Sequence, residues 1–259
     1  NKMATFFGGS GTYGMGIEYE KTFVGLIESA KEEYKIINLG VAGYSTSVFH
    51  YQLKKMIDNE IYPNKIFVVL DVLDVSNEAS LWDQKNGFEH PVKIKKNIID
   101  IEDKQSLKSF KKKNFKGSRL IARSINNFFR SLRLYFSTLK DTSKKSIKTP
   151  WGSFLYTELK DTEKWLWEPF GFEQGIIKVT ENINKISKLS KSINAEFYLI
   201  IYPWPDALEY GQDNFNWEFF ANDLCSNASC TKLINLFSDF KNIKENSKNW
   251  TSKIYIKDD

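Results

Sequence analysis

At 259 residues and 30.1 kDa the chain is long enough for one large domain with a full hydrophobic core, or for two small ones. Its 41% hydrophobic and 27% charged residues exclude a disordered polymer, and no apolar run approaches the roughly 18 residues that a membrane-spanning helix needs. Two histidines (His50, His90) and two cysteines (Cys225, Cys230) exclude a finger-type zinc site and leave few groups for histidine chemistry, while the net charge of +5 is modest.

Short β-rich runs alternate with helical stretches, which predicts an α/β fold with a mainly parallel sheet. Met3 to Phe7 reads as a first strand, not as the charged head of a leader peptide, and Gly8-Gly9 ends it. Ile17 to Tyr34 reads as a helix with Phe23, Leu26, Ile27 and Ala30 on one face, and Lys35 to Leu39 as a second strand closed by Gly40-Val41-Ala42-Gly43. A helix is expected over 47–59. Lys65 to Val72 follows as a central strand, because Ile66-Phe67-Val68-Val69-Leu70 is continuously apolar.

From about Leu81 to Trp167 the alternation breaks. Ile121, Ile125, Phe128, Leu132, Tyr135 and Leu139 recur at helical spacing with Arg119, Arg123, Arg130 and Arg133 among them, so an amphipathic basic helix is expected. About seventeen Lys and Arg stand against about four acids between Lys93 and Lys148, a local excess near +13. This charge is either a solvated face or a surface for anionic glycan or lipid headgroups; no nucleic-acid motif accompanies it. Beyond it, Gly175 to Ser192 reads as a helix with Ile176, Val179, Ile183, Ile186 and Leu189 inward. Glu196 to Tyr202 is a fourth strand stopped by Pro203-Trp204-Pro205, Trp217 to Cys225 a helix, and Leu233 to Phe237 a fifth strand.

The turn Gly8-Gly9-Ser10-Gly11-Thr12-Tyr13-Gly14 lies between a strand and a helix, where α/β folds bind ligands. Gly9-x-Gly11-x-x-Gly14 formally matches a dinucleotide fingerprint, but Ile36-Ile37-Asn38-Leu39-Gly40 offers no acid for the ribose, and no Lys-Ser/Thr follows to make a phosphate loop. Either Ser10 presents its hydroxyl at the sheet's carboxyl edge, or it caps the helix.

Together with Asn38-x-Gly40-x-x-Gly43, this turn resembles the first two blocks of the SGNH, or GDSL-type, ester hydrolases and acetyltransferases. The resemblance implies a three-layer α/β/α sandwich with a mainly parallel, flavodoxin-like five-stranded sheet. It covers roughly residues 1–84 and 165–259; the broken alternation between them reads as a helical cap inserted at about 85–164 into a single domain over residues 1–259. The resemblance further implies Ser10 as nucleophile, the backbone amides of Ser10 and Gly43 as oxyanion donors, and no cofactor or metal. The chain departs from the pattern twice. Gly9 stands where the first block has Asp, and Asp71-Val72-Leu73-Asp74 keeps only the final Asp of the third block, so Leu73 cannot give the oxyanion the hydrogen bond that an Asn side chain would. One such donor is worth about 100- to 1000-fold in rate. Asp71 and Asp74 are site-lining candidates, or sheet-end caps.

A serine hydroxyl needs a general base, most often a histidine oriented by an acid. The resemblance makes Asp259 that acid, with Asp258 second, and places the histidine just beyond, so the expectation is an internal fragment that is inactive as written. His50 is expected to be a partly buried packing residue and His90 an exposed loop residue. Cys225 and Cys230 are close enough for a disulfide, which would imply an oxidising compartment such as a periplasm; reduced thiols are the alternative. Trp204 is a candidate sugar-stacking residue, with core packing as the alternative. The function expected is a serine esterase or O-acyl (acetyl) transferase acting on carbohydrate or lipid esters, periplasmic or membrane-associated, with no nucleic-acid partner and with the basic insertion free to meet a membrane surface. The alternative is a catalytically inactive module of the same fold that binds glycan or membrane surface.

Overall fold

The computed structural model describes residues 2–83, 92–93, 147–149, 152–154, 170–210, 212 and 216–255, all of which belong to one compact unit. The region expected to form the inserted cap, including the basic helix and His90, lies outside the described residues apart from three short strands. Asp258 and Asp259 lie outside them too.

Five strands form one parallel sheet: β1 (Lys2–Phe7), β2 (Tyr34–Asn38), β3 (Lys65–Leu70), β8 (Glu196–Ile201) and β9 (Lys232–Asn235), in the order β2-β1-β3-β8-β9. The short strands β4 (Trp82–Asp83) and β5 (Val92–Lys93) pair antiparallel, as do β6 (Ile147–Thr149) and β7 (Gly152–Phe154). Helices are α1 (Ser10–Tyr13), α2 (Phe23–Ala30), α3 (Thr46–Asp58), α4 (Val72–Ser80), α5 (Phe172–Ser192), α6 (Pro205–Tyr210), α7 (Trp217–Ala228), α8 (Phe237–Glu245) and α9 (Thr251–Ile254). The architecture is therefore the expected three-layer α/β/α sandwich. Among the described residues no helix is long and apolar enough to cross a membrane.

Both faces of the strands are apolar, as a covered parallel sheet requires. On one face Phe7, Ile66, Val68, Leu70, Leu199 and Ile201 pack against Phe49 and Leu53 of α3, Val179, Ile183 and Ile186 of α5, and Leu224 of α7. Each such fully buried side chain contributes about 1.5–3 kcal/mol of transfer free energy. The other face carries a smaller core of Ala4, Phe6, Val24, Ile36, Val69 and Ile200. A cavity of about 920 Å³ lies on that side, lined by Phe6, Phe67, Val69, Ile200, Phe23 and Phe240 among others.

Three local expectations are corrected. The helix expected from Ile17 is α2 alone, starting at Phe23: Gly14 and Gly16 adopt positive φ, and the Thr22 hydroxyl caps the later start by accepting from Gly25 N at 3.0 Å. Leu26, expected on the inward face, is 56% exposed, and Val24 and Gly25 are buried instead. The third strand ends at Leu70, because Asp71 opens α4, a helix that strand-like Val72-Leu73 concealed.

Candidate active site

The sheet order sets the site. With β2 and β3 on either side of β1, the turns leaving β1, β2 and β3 meet at one carboxyl edge, at the point where strand order reverses. Ser10 opens α1. Gly9 is the N-cap and makes no side-chain cap bond, so Ser10 lies inside the helix and is not its cap. Ser10 is half-buried.

The turn after β2 is locked onto this one. Asn38 Nδ2 donates to Thr12 O at 2.8 Å, Asn38 Oδ1 accepts from Gly40 N at 2.9 Å, and Val41 N donates to Gly8 O at 3.1 Å. Gly40 has to be glycine, since a Cβ there would lie 2.5 Å from Tyr13 N and 2.7 Å from the Thr12 carbonyl carbon. Gly43 is exposed and sits at φ +79°, a left-handed conformation that glycine adopts without strain. Among the described residues nothing accepts a hydrogen bond from the amide of Ser10 or of Gly43.

The turn after β3 is committed to capping. Asp71 Oδ1 accepts from Leu73 N at 2.7 Å, and Asp74 Oδ2 accepts from Asp71 N at 2.8 Å, a reciprocal capping box at the start of α4. Both carboxylates thus cap the start of α4 at the sheet's end. Leu73 offers the oxyanion neither its side chain nor its main-chain amide, which is spent on Asp71. Asp74 is fully enclosed, and burial first, then the Asp71 carboxyl, hold its pKa well above the usual carboxylate range. Asp71 remains beside the serine turn: its Oδ2 accepts from the Tyr202 hydroxyl at 2.9 Å and lies 3.9 Å from where a Gly9 Cβ would be. The Tyr202 hydroxyl in turn lies 3.1 Å from a Cβ built on Gly11. Burial and then Asp71 raise the Tyr202 pKa well above its ordinary value, so Tyr202 stays a neutral donor.

Sequence reasoning missed the group that holds the second turn from below. Glu78 of α4 is 1% exposed, and its Oε1 accepts from Ser45 Oγ (2.7 Å), Thr46 Oγ1 (3.0 Å) and Ser47 N (2.6 Å) at the start of α3. A carboxylate there also suits the positive end of the helix dipole. Only its place one helical turn after Asp74 could have hinted at it.

The remaining sequence candidates fall elsewhere. His50 is half-buried in α3, and its pKa is lowered to about 4 by burial and then by Lys185 and Lys54. It is thus a neutral packing residue. Trp204 is half-buried and packs against the larger core. Cys225 and Cys230 are bonded to each other. The large cavity is lined by Gly11 of the serine turn and by Tyr202, and not by Ser10 or Gly43. Among the described residues no cluster of His, Cys, Asp and Glu could hold a metal ion.

No family model matches the chain, and no curated protein matches it. Among solved structures it is similar to a member of the lipolytic G-D-S-L family from Veillonella parvula, at 10% identity and a TM-score of 0.49 over 96% of this chain and 85% of that one. It is also similar to a psychrotrophic esterase from Pseudoalteromonas sp., at 10% identity and a TM-score of 0.45 over 96% of this chain and 86% of that one. A third similarity is to a mutant acetyl-xylooligosaccharide esterase from Geobacillus, at 11% identity and a TM-score of 0.43 over 99% of this chain and 84% of that one.

Proposed function

We propose that the chain is the SGNH-type domain of a serine-dependent ester hydrolase or O-acyl transferase acting on carbohydrate or lipid esters. The observation that carries this reading is the pair of turns locked side by side at the carboxyl edge, with the Ser10 and Gly43 amides unengaged among the described residues. In the proposed reaction a general base takes the Ser10 proton while Oγ bonds to the ester carbonyl carbon. The carbonyl π pair moves onto oxygen, where the two amides stabilise the charge. Collapse expels the alcohol, which takes the proton from the base and leaves an acyl-Ser10. Attack by water completes hydrolysis, and attack by a sugar or lipid hydroxyl completes transfer.

Asp259 is the proposed acid of the acid–base pair; His50, half-buried and with its pKa lowered to about 4 by burial and then by Lys185 and Lys54, is a poor base for it. The proposed helical cap spans about 85–164, and its Arg119, Arg123, Arg130 and Arg133 are the proposed contacts for anionic glycan or a membrane surface. The Cys225–Cys230 bond favours an oxidising compartment. In the whole protein, Ser10→Ala should abolish ester turnover while leaving the far-ultraviolet dichroism and melting temperature intact; unchanged turnover would sink the assignment.

One observation favours a second reading, a non-catalytic module binding glycan or membrane. Leu73 leaves the site one oxyanion donor short, with its own amide already bonded. In that case charge reversal at the four arginines abolishes binding and Ser10→Ala does not.

A further inference from the structure

Gly43 stands in open space. A Cβ built on it would meet nothing within 4 Å, so no neighbour packs against Gly43 itself. Two hydrogen bonds hold the peptide that follows it. Tyr44 N donates to Val41 O at 3.0 Å, and the indole Nε1 of Trp82, 39 residues further along, donates to Gly43 O at 2.9 Å. The carbonyl of Gly43 and the amide of Tyr44 belong to one peptide plane, which is therefore gripped at both edges. The Tyr44 ring also meets the Trp82 ring edge-on, with centroids 5.9 Å apart.

Trp82 is itself well anchored. It follows α4, and its carbonyl shares the Lys178 ammonium with the Glu78 carbonyl, each at 3.2 Å. That ammonium lies 3.5 Å from the centroid of the Phe170 ring. In β4, Trp82 also pairs with Lys93 of β5. The indole thus reaches the turn from a position fixed by two helices and a strand pair.

We infer that Trp82 is a positioning residue for the oxyanion amide: it fixes the 43–44 peptide plane and so sets the direction of the adjoining Gly43 N–H. The inference rests on the proposed role of Gly43. It also links the stretch that begins at Trp82 to the chemistry at Ser10, because a displacement of β4 moves the donor that orients the oxyanion turn. A ground-state ester carbonyl needs this amide less than the charged tetrahedral intermediate does, so its misalignment reads in kcat more than in KM.

Trp82→Phe keeps an aromatic ring against Tyr44 and removes the N–H. In this variant the Tyr44 amide should exchange with solvent about 3- to 10-fold faster by NMR, the value of one net hydrogen bond. The kcat for a soluble ester should fall by about the same factor with KM unchanged. Unchanged Tyr44 exchange overturns the inference even if no ester is turned over. Unchanged kcat, in a protein whose turnover Ser10→Ala abolishes, overturns it and leaves the proposed function standing; turnover that survives Ser10→Ala overturns the proposed function itself.

Discussion

Glu78 gives the sharpest energetic test of how the second turn is built. Its Oε1 is the acceptor for three groups, the hydroxyls of Ser45 and Thr46 and the amide of Ser47, all of them buried. Glu78→Ala leaves all three without that acceptor, at about 1–3 kcal/mol for each buried group left unpaired. The two hydroxyls can rotate and recover part of this, whereas the Ser47 amide cannot. We therefore expect a loss near the low end, about 3–4 kcal/mol, a large share of the roughly 5–15 kcal/mol that holds a domain together. Glu78→Gln retains an amide oxygen in the same place and loses only the charge assistance, about 1 kcal/mol. Equilibrium urea unfolding at neutral pH separates the two variants, and the alanine variant should melt roughly 6–16 °C lower, at about 2–4 °C per kcal/mol for a chain of this size. An alanine variant within about 1 kcal/mol of the parent would refute the reasoning, because buried donors do not go unpaired so cheaply. So would a glutamine variant as unstable as the alanine one.

Two further outcomes follow from the same packing. Gly40→Ala drives a Cβ into Tyr13 N and the Thr12 carbonyl carbon; both contacts are backbone, so the two turns must separate, and stability should fall by about 1–3 kcal/mol in urea unfolding. A Gly40→Ala variant as stable as the parent would show that the turns are not in contact. His50 has its pKa lowered from 6.5 to about 4 by burial and by Lys185 and Lys54. The unfolded chain therefore binds this proton before the folded one does, so the contribution of His50 to stability is fully present above pH 6.5 and is lost as pH falls towards 4. Stability measured across that window should decline less steeply in His50→Gln than in the parent, and identical slopes would contradict the assignment.

The fold was largely legible because its determinants are local. The run Ile66-Phe67-Val68-Val69-Leu70 has no sensible place except a strand covered on both faces, and the inward spacing of Val179, Ile183 and Ile186 describes α5 well. α4 was not legible. Its first turn holds β-branched Val72, and what starts it is the reciprocal Asp71–Asp74 capping box, which in the sequence is only two acids three apart. α2 was overextended because apolar residues recur from Ile17 onward, while the glycines before it and the cap at Thr22 delay the helix.

Within the candidate site the same division holds. Ser10, Asn38, Gly40 and Gly43 lie in two short turns whose spacing is visible in the chain. Glu78, Trp82 and Tyr202 act across 33, 39 and 131 residues through hydrogen bonds to Ser45 (with Thr46 and Ser47 beside it), Gly43 and Asp71. No periodicity or motif marks such a contact, since it exists only once the sheet order has brought the strand ends together. Asp71 illustrates the limit: its type and place were noticed, yet its two tasks, capping α4 and holding Tyr202 beside the serine turn, emerge only in three dimensions.

The central claim is that Ser10 is a nucleophile at an ester-processing site. Its most direct test is to expose the whole protein to a fluorophosphonate, which phosphonylates an activated serine oxygen with loss of fluoride, and to map the adduct by peptide mass spectrometry. The account predicts one adduct, on the peptide carrying Ser10, which disappears in Ser10→Ala. An unlabelled protein, or an adduct on another residue that persists in Ser10→Ala, would contradict it.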